Sequence, residues 1–132
     1  MKTSYFARLR TGQIAYPVSI CRFPPRWYKG PKYLKLAPTA DMLARAKAAV
    51  DNNSEGISNE YQETILAKLN ADEVVGDLQA LWPEADASDI TLLGFEALNK
   101  PCHRHLVAQW LTQHGYPTEE MSFAHSSVFK CL

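Results

Sequence analysis

One apolar segment constrains the fold of this chain more than any other feature. Residues 89–95 read Asp-Ile-Thr-Leu-Leu-Gly-Phe, which is an almost continuous apolar run of strand length. Such a run is typical of a strand that is buried on both faces, as the strands of parallel sheets are. The segment therefore predicts a buried strand in a layered α/β protein.

Further strands are predicted around this segment. Residues 5–10 and 14–21 have strand character, and another strand is predicted at about 118–123. Pro17 favours an edge position for the second of these strands because proline cannot donate to a neighbouring strand.

Helical segments separate the predicted strands. Their apolar residues recur at three- and four-residue intervals, which is the spacing of one helix face. The first two predicted helices begin at the N-caps Thr39 and Ser58, and residues 51–56 separate them. A third helix is predicted from about Asp72 to Trp82, and a fourth from near Cys102 to Gly115. The pattern predicts one domain over residues 1–132, a small three-layer, Rossmann-like α/β fold with a short, mostly parallel sheet.

Composition excludes several classes of protein. The chain has 132 residues and is 46% hydrophobic, which is enough to bury a core and too apolar for a disordered chain. No apolar run approaches the roughly 18–20 residues that span a bilayer, and the first residues lack the apolar stretch of a secretory signal. Three cysteines without a CxxC pair argue against a disulfide framework. We therefore expect a cytoplasmic protein with no membrane partner.

Charge is separated along the chain although the formal net charge is zero. Residues 1–40 contain eight Lys or Arg side chains and no acid, whereas residues 41–100 contain four basic and twelve acidic side chains. This asymmetry predicts one surface that attracts anions. The alternative is that the two blocks pair with each other in the fold.

A candidate site follows from the two loops that leave the predicted strands at 14–21 and 89–95. If these strands are parallel neighbours, the loops meet at the carboxyl edge of the sheet, where α/β proteins bind ligands. The predicted ligand-binding residues are Arg22, Arg26, Trp27, Lys29 and Arg104. The N–H groups at the start of the helix that carries Arg104 also favour anions. Aromatic and cationic residues alternate in the first loop, as in proteins that stack on bases beside phosphates, although Trp27 would also serve to pin the loop onto the core.

Three residues near the second loop are candidates for chemistry. Cys102 at a helix start beside His103 and Arg104 would hold more of its thiol as thiolate, which is one way to make a nucleophile. His103 is the candidate general acid or base, and Glu96 would orient a group or abstract a proton. The alternative for Cys102 is a small packed apolar residue.

Metal and cofactor motifs are not recognised. Cys102, His103 and His105 lie too close within one helical turn to face a single ion together, and no accepted zinc spacing occurs. The sequence has no Walker loop, GxGxxG or GxSxG motif. We therefore predict no metal and no cofactor.

Two blocks of sequence resemble a known family. They are residues 18–30 with Tyr33 and 36–39, and residues 92–96 with 102–108. Together they are similar to the uncharacterised prokaryotic and phage family called domain of unknown function 488, over most of residues 5–115. The resemblance implies a compact α/β domain in which both blocks line one pocket, and it implies no known reaction.

The resemblance also bears on individual positions. It implies that Cys102, His103 and Arg104, which match the family pattern, are site residues. It places Gly94 where family members often have cysteine, which argues against a two-thiol site.

Three functions are consistent with these features. The first is an anion-binding protein that recognises a nucleotide, a nucleic acid or another phosphate-bearing ligand. The second is an enzyme acting on a phosphorylated or nucleoside-like small molecule through Cys102 and His103. The third is a phage-type interaction module whose basic loop binds an acidic protein partner. The first is our prediction, and the sequence leaves open whether any reaction is catalysed.

Overall fold

The computed structural model describes residues 1–48, 54–95 and 103–121. Its described strands form one sheet in the order β2-β3-β1-β4, and every neighbouring pair is parallel. The strands are β1 (Lys2–Tyr5), β2 (Pro17–Ser19), β3 (Thr91–Gly94) and β4 (Glu119–Glu120). The fold is therefore α/β with a parallel sheet, as the apolar run at 89–95 predicted.

Five α-helices lie in the described parts of the chain. They are α1 (Phe6–Leu9), α2 (Ala40–Ala48), α3 (Ser54–Thr64), α4 (Ala71–Leu81) and α5 (His103–Gln113). Short 3₁₀ turns occur at Leu34–Leu36, Leu66–Lys68 and Ala87–Asp89. Among the described helices, none combines the length and the apolar character that crossing a membrane requires.

Both faces of the sheet are covered, because adjacent residues of β3 pack into different clusters. Leu92 belongs to the larger core, which includes Val18 of β2 and buried residues of α4 and α5. Leu93 belongs to a smaller cluster with Phe6 and Tyr28, contributed by α1 and by the loop after β2. All four residues of β3 are buried. The sheet therefore has helices on one face and a short helix with a loop on the other.

Several predicted elements are confirmed. The strand predicted at 89–95 contains β3, and the helix predicted at 72–82 is α4, where Asn70 accepts a hydrogen bond from the Glu73 N–H. Thr39 accepts a hydrogen bond from the Met42 N–H at the start of α2, as expected of an N-cap. Gly115 follows α5 with a φ of 96°, which is the left-handed conformation that ends many helices.

Two boundaries differ from the prediction. The first strand is β1 and not residues 5–10, because residues 6–9 are helical. Phe6 and Leu9 are three residues apart on this helix, and both pack in the same apolar cluster. The second helix of the prediction begins at Ser54, four residues before Ser58. Ile57 and Tyr61, one turn apart, both pack on the core and extend the helix towards its N-terminus.

The structure also shortens two predicted strands. β2 covers only Pro17–Ser19 of the predicted segment 14–21, and it lies at the sheet edge as Pro17 indicated. β4 covers Glu119–Glu120, and the predicted continuation beyond Met121 lies outside the described residues. Only residues that pair with a neighbouring strand keep the regular strand conformation.

Candidate functional site

The carboxyl ends of β2 and β3 lie side by side, as the sequence predicted for a site. Ser19 pairs with Leu93 in parallel register, and the Ile20 N–H donates to the Leu93 carbonyl at 3.2 Å. The chain leaves the two strands through Cys21 and Phe95 respectively. The loops after both strands therefore begin at the same edge of the sheet.

A groove of about 840 Å³ opens at this edge. Its walls come from the end of β2, the end of β3, the first residue of α5 and one side of α2. The described residues that line it are Cys21, Arg22, Phe23, Pro38, Ala40, Leu43, Ala44, Ala46, Phe95 and His103. The walls are largely apolar, and Arg22 and His103 are the ionisable side chains other than the Cys21 thiol among these residues.

Arg22 is held in place at the groove by one hydrogen bond to the backbone. Its Nε donates to the Pro38 carbonyl at 3.1 Å, just before α2 begins. A guanidinium has five N–H donors, and this bond uses one of them. The contact fixes the position of a permanent positive charge in an otherwise apolar wall.

His103 approaches the groove from the other side, as the first residue of α5. Its Nε2 lies 2.8 Å from the Ile20 carbonyl oxygen, and its ring packs edge-on against Tyr61 at 5.5 Å. Because a carbonyl only accepts hydrogen bonds, Nε2 carries the proton, and the lone pair of the neutral ring is on Nδ1. Tyr61 is itself fixed by donating to the Leu36 carbonyl at 2.6 Å.

Arg104 follows His103 in sequence but does not line the groove. Its side chain is 0% exposed, and its Nε and Nη2 each bind one carboxylate oxygen of Glu120 at 3.0 Å. The Thr3 hydroxyl donates to the same carboxylate at 2.7 Å, and the guanidinium lies 5.6 Å from the Tyr5 ring centroid. Successive residues of a helix point about 100° apart, so the two side chains diverge. The structure thus brings His103, and not Arg104, to the groove with Arg22.

The remaining predicted ligand-binding residues lie on the loop after β2. Trp27 is 40% exposed, contacts Phe6 edge-on at 6.3 Å, and has the Arg10 guanidinium 4.9 Å from its ring centroid. Arg26 and Lys29 are exposed, and neither forms an ion pair with another described residue. None of the three lines the groove.

Glu96 and Cys102, two of the three predicted catalytic residues, lie outside the described residues. Within the described parts of the chain, no three His, Cys, Asp or Glu side chains cluster closely enough to hold a metal ion. The chemistry assigned to Glu96 and Cys102 stays a prediction.

The sequence indicated stacking aromatics on the first loop, which include Phe23, but Phe95 and Leu43 were not predicted for the site. Phe95 is 48% exposed at the end of a strand that is otherwise buried, and Phe23 is 63% exposed. Leu43 follows the buried Met42 and lies off the core stripe of α2. The signal for Phe95 was its position at the end of a buried strand, and the signal for Leu43 was its position one residue off a helical stripe.

These features define a small parallel α/β protein with a groove at the carboxyl edge of its sheet. A family model, DUF488-N3a, described as the active DUF488-N3 subclade, matches residues 9–115. The chain therefore belongs to the DUF488 family, as the resemblance of its two sequence blocks predicted. Comparison with curated proteins and with solved structures gives no match.

Proposed function

We propose that the groove binds a nucleotide or a nucleic acid through a phosphate group. The observation that carries the proposal is the joint position of Arg22 and His103 in one groove at the carboxyl ends of β2 and β3. Parallel α/β sheets bind ligands at such edges, and α5 begins there with the N–H groups that favour anions. Arg22 supplies the charge-assisted hydrogen bonds that a phosphate accepts.

The apolar walls suit the base of the same ligand. Phe23 and Phe95 both line the groove with a large part of their rings exposed. An aromatic ring stacks on any base, whereas an inorganic phosphate has no apolar surface that could pack against apolar walls. The combination of one fixed guanidinium with two exposed rings therefore favours a nucleotide over an inorganic anion.

The surrounding charge also favours an anionic ligand. The first 40 residues contain no acidic side chain. Some cations are paired with acids, since Lys35 within this region contacts Asp77, and Arg45 outside it contacts Asp41 and Glu60. The exposed cations Arg26 and Lys29, by contrast, have no such partner among the described residues. Unpaired surface cations attract anions and accelerate their association.

Binding of adenosine monophosphate and of inorganic phosphate, measured by titration calorimetry at low and high salt, tests the proposal. We expect the nucleotide to bind more tightly than phosphate, and Arg22→Ala to weaken it at least tenfold, since hydrogen bonds to charged groups contribute about 1.5–3 kcal/mol. Lys68→Ala removes an exposed cation on a 3₁₀ turn outside the groove and is the matched control. Equal binding by wild type and Arg22→Ala would contradict the proposal.

A second candidate function is catalysis on a phosphorylated or nucleoside-like molecule in the same groove. Two observations favour it: the matching subclade is described as active, and His103 has its proton position set by Ile20. A fixed tautomer is what a general acid or base requires.

The enzyme proposal is tested by incubating the protein with nucleosides and nucleotides and following products by mass spectrometry. We expect His103→Ala and Cys102→Ser to abolish turnover while circular dichroism stays unchanged. Turnover that survives in both variants would rule out chemistry by these two residues.

A further inference from the structure

A second aromatic surface lies beside the groove but outside it. Phe6, which is buried, has the ring of Phe95 at 5.2 Å and the ring of Trp27 at 6.3 Å. Phe95 lines the groove and Trp27 does not. Two half-exposed aromatic rings therefore flank one buried ring, with only one of them inside the proposed nucleotide site.

Tyr28 anchors the loop that carries Trp27. Its ring packs on Phe6 at 5.2 Å, and its hydroxyl donates to the Pro31 carbonyl at 2.7 Å. Gly30 allows this position, because a Cβ there would lie 2.6 Å from the Tyr28 hydroxyl oxygen. Tyr28 is buried whereas the neighbouring Trp27 is 40% exposed. Trp27 is thus presented on a loop that another aromatic side chain already fixes.

The surroundings of Trp27 are cationic. The Arg10 guanidinium lies 4.9 Å from the ring centroid, a cation–π distance, and Arg10 is itself exposed. Arg26 precedes Trp27 directly, and Lys29 follows two residues later on the same loop. Arg26 and Lys29 are both exposed, so the loop that carries Trp27 offers positive charge to the backbone phosphates of a bound strand. Exposed aromatic rings among cations are the arrangement by which proteins hold single-stranded nucleic acids.

We infer that the ligand is a single-stranded nucleic acid, and that Trp27 with Arg10 forms a second base-stacking site outside the groove. The inference rests on the proposed function, because the groove would hold one nucleotide of the same strand. The Arg10 guanidinium covers one part of the indole, and a base stacks on the part that is left exposed. The neighbouring backbone phosphates contact Arg26 and Lys29. An acidic protein partner would also contact the cations and the indole, so the test includes displacement by an acidic polypeptide.

Fluorescence anisotropy with labelled octathymidylate, and calorimetry with thymidine monophosphate, test the inference. We expect octathymidylate to bind more tightly than the mononucleotide, and Trp27→Ala to weaken octathymidylate binding roughly tenfold, as loss of one stacked base does. Mononucleotide binding should stay within twofold of wild type. Trp27→Phe keeps an aromatic ring and should restore most of the affinity.

Arg10→Ala provides a second variant that leaves the aromatic core intact. It removes an exposed side chain and should weaken octathymidylate binding several-fold without affecting the mononucleotide. Lys68→Ala, which removes an exposed cation from another part of the chain, should change neither. If both Trp27→Ala and Arg10→Ala bind octathymidylate as wild type does, the second site is disproved. Displacement of the oligonucleotide by polyaspartate at equal charge concentration would also overturn it in favour of a general anion surface.

The outcomes separate this inference from the proposed function. Mononucleotide binding without tighter oligonucleotide binding would overturn the second site and leave the groove proposal standing. Oligonucleotide binding that depends on Trp27 but not on Arg22, with no mononucleotide binding, would support the second site and contradict the groove proposal. Binding of neither ligand would overturn both.

Discussion

Arg104 and Glu120 form a two-point ion pair that joins α5 to the edge strand β4. Both contacts are 3.0 Å long, and the guanidinium is completely buried while the carboxylate is only slightly exposed. Two charges removed from water are tolerated when each is paired and hydrogen-bonded, and the Thr3 hydroxyl adds a further bond to Glu120. The pair therefore fixes the first turn of α5, which also carries His103 into the groove.

Glu120→Ala should destabilise the protein by about 3–5 kcal/mol, because it leaves the buried charge of Arg104 without its carboxylate. Urea unfolding followed by circular dichroism measures the loss. Glu119→Ala is the matched control, since Glu119 is the exposed neighbour in the same strand and should change the unfolding free energy by less than about 0.5 kcal/mol. Equal effects of the two substitutions would show that the pair contributes no more than a surface carboxylate.

Two glycines should respond to alanine in opposite directions. Gly30→Ala places a Cβ 2.6 Å from the Tyr28 hydroxyl oxygen, so the ring that anchors the loop must shift, at a cost of about 1–3 kcal/mol. Gly76→Ala lies on the exposed side of α4 with nothing within 4 Å and should stabilise the helix by about 1 kcal/mol. Thermal unfolding of both variants tests the pair. A stabilised Gly30→Ala protein would contradict the anchoring role of Tyr28.

Asp77 links α4 to the 3₁₀ turn at Leu34–Leu36. The Tyr33 hydroxyl donates to its Oδ2 at 2.6 Å, and this bond, with the Lys35 ammonium at 3.5 Å, lowers the pKa of Asp77 below its ordinary value. A lowered folded-state pKa stabilises the protein above the ordinary carboxyl pKa of about 4, and that stability is lost as the pH falls through the folded-state pKa.

Tyr33→Phe should raise the pKa of Asp77 towards its ordinary value, because the strongest stabilising contact of the carboxylate is lost. Carboxyl-carbon NMR titration measures this directly. Lys35→Ala should raise the same pKa by less, since the ammonium is the weaker influence. The stability difference between wild type and Tyr33→Phe should shrink below about pH 4. A larger effect from Lys35→Ala than from Tyr33→Phe would show that charge, and not the hydroxyl, controls Asp77.

The sequence predicted the parts of the fold that depend on local pattern. The continuous apolar run at 89–95 predicted β3 and its burial, and the helical spacing from about Asp72 to Trp82 predicted α4. Residues 6–9 were misassigned because a four-residue helix is too short for a helical period to be distinguished from strand alternation. Its conformation depends on packing of Phe6 against residues distant in the chain, which no local pattern reports.

The sequence predicted where the candidate groove lies, but not which side chain of α5 lines it. Parallel pairing of β2 with β3 was an inference from topology, and it correctly brought the loop of Arg22 next to the start of α5. Which side chain of α5 enters the groove depends on the rotation of the helix about its axis. That rotation brings Arg104 to Glu120, a residue of β4 that did not figure in the predicted site.

The two kinds of cation around the groove should act on different rate constants of ligand binding. Arg22 is partly buried and hydrogen-bonded to Pro38, so Arg22→Ala should accelerate dissociation of a bound nucleotide at least tenfold. Lys29 is exposed on the loop, so Lys29→Ala should slow association several-fold at low salt, with little effect on dissociation. Stopped-flow fluorescence with a labelled mononucleotide measures both rates, and the association effect should disappear at high salt, where exposed charges are screened. If Arg22→Ala changed only the association rate, Arg22 would act as a surface charge rather than as a direct phosphate ligand.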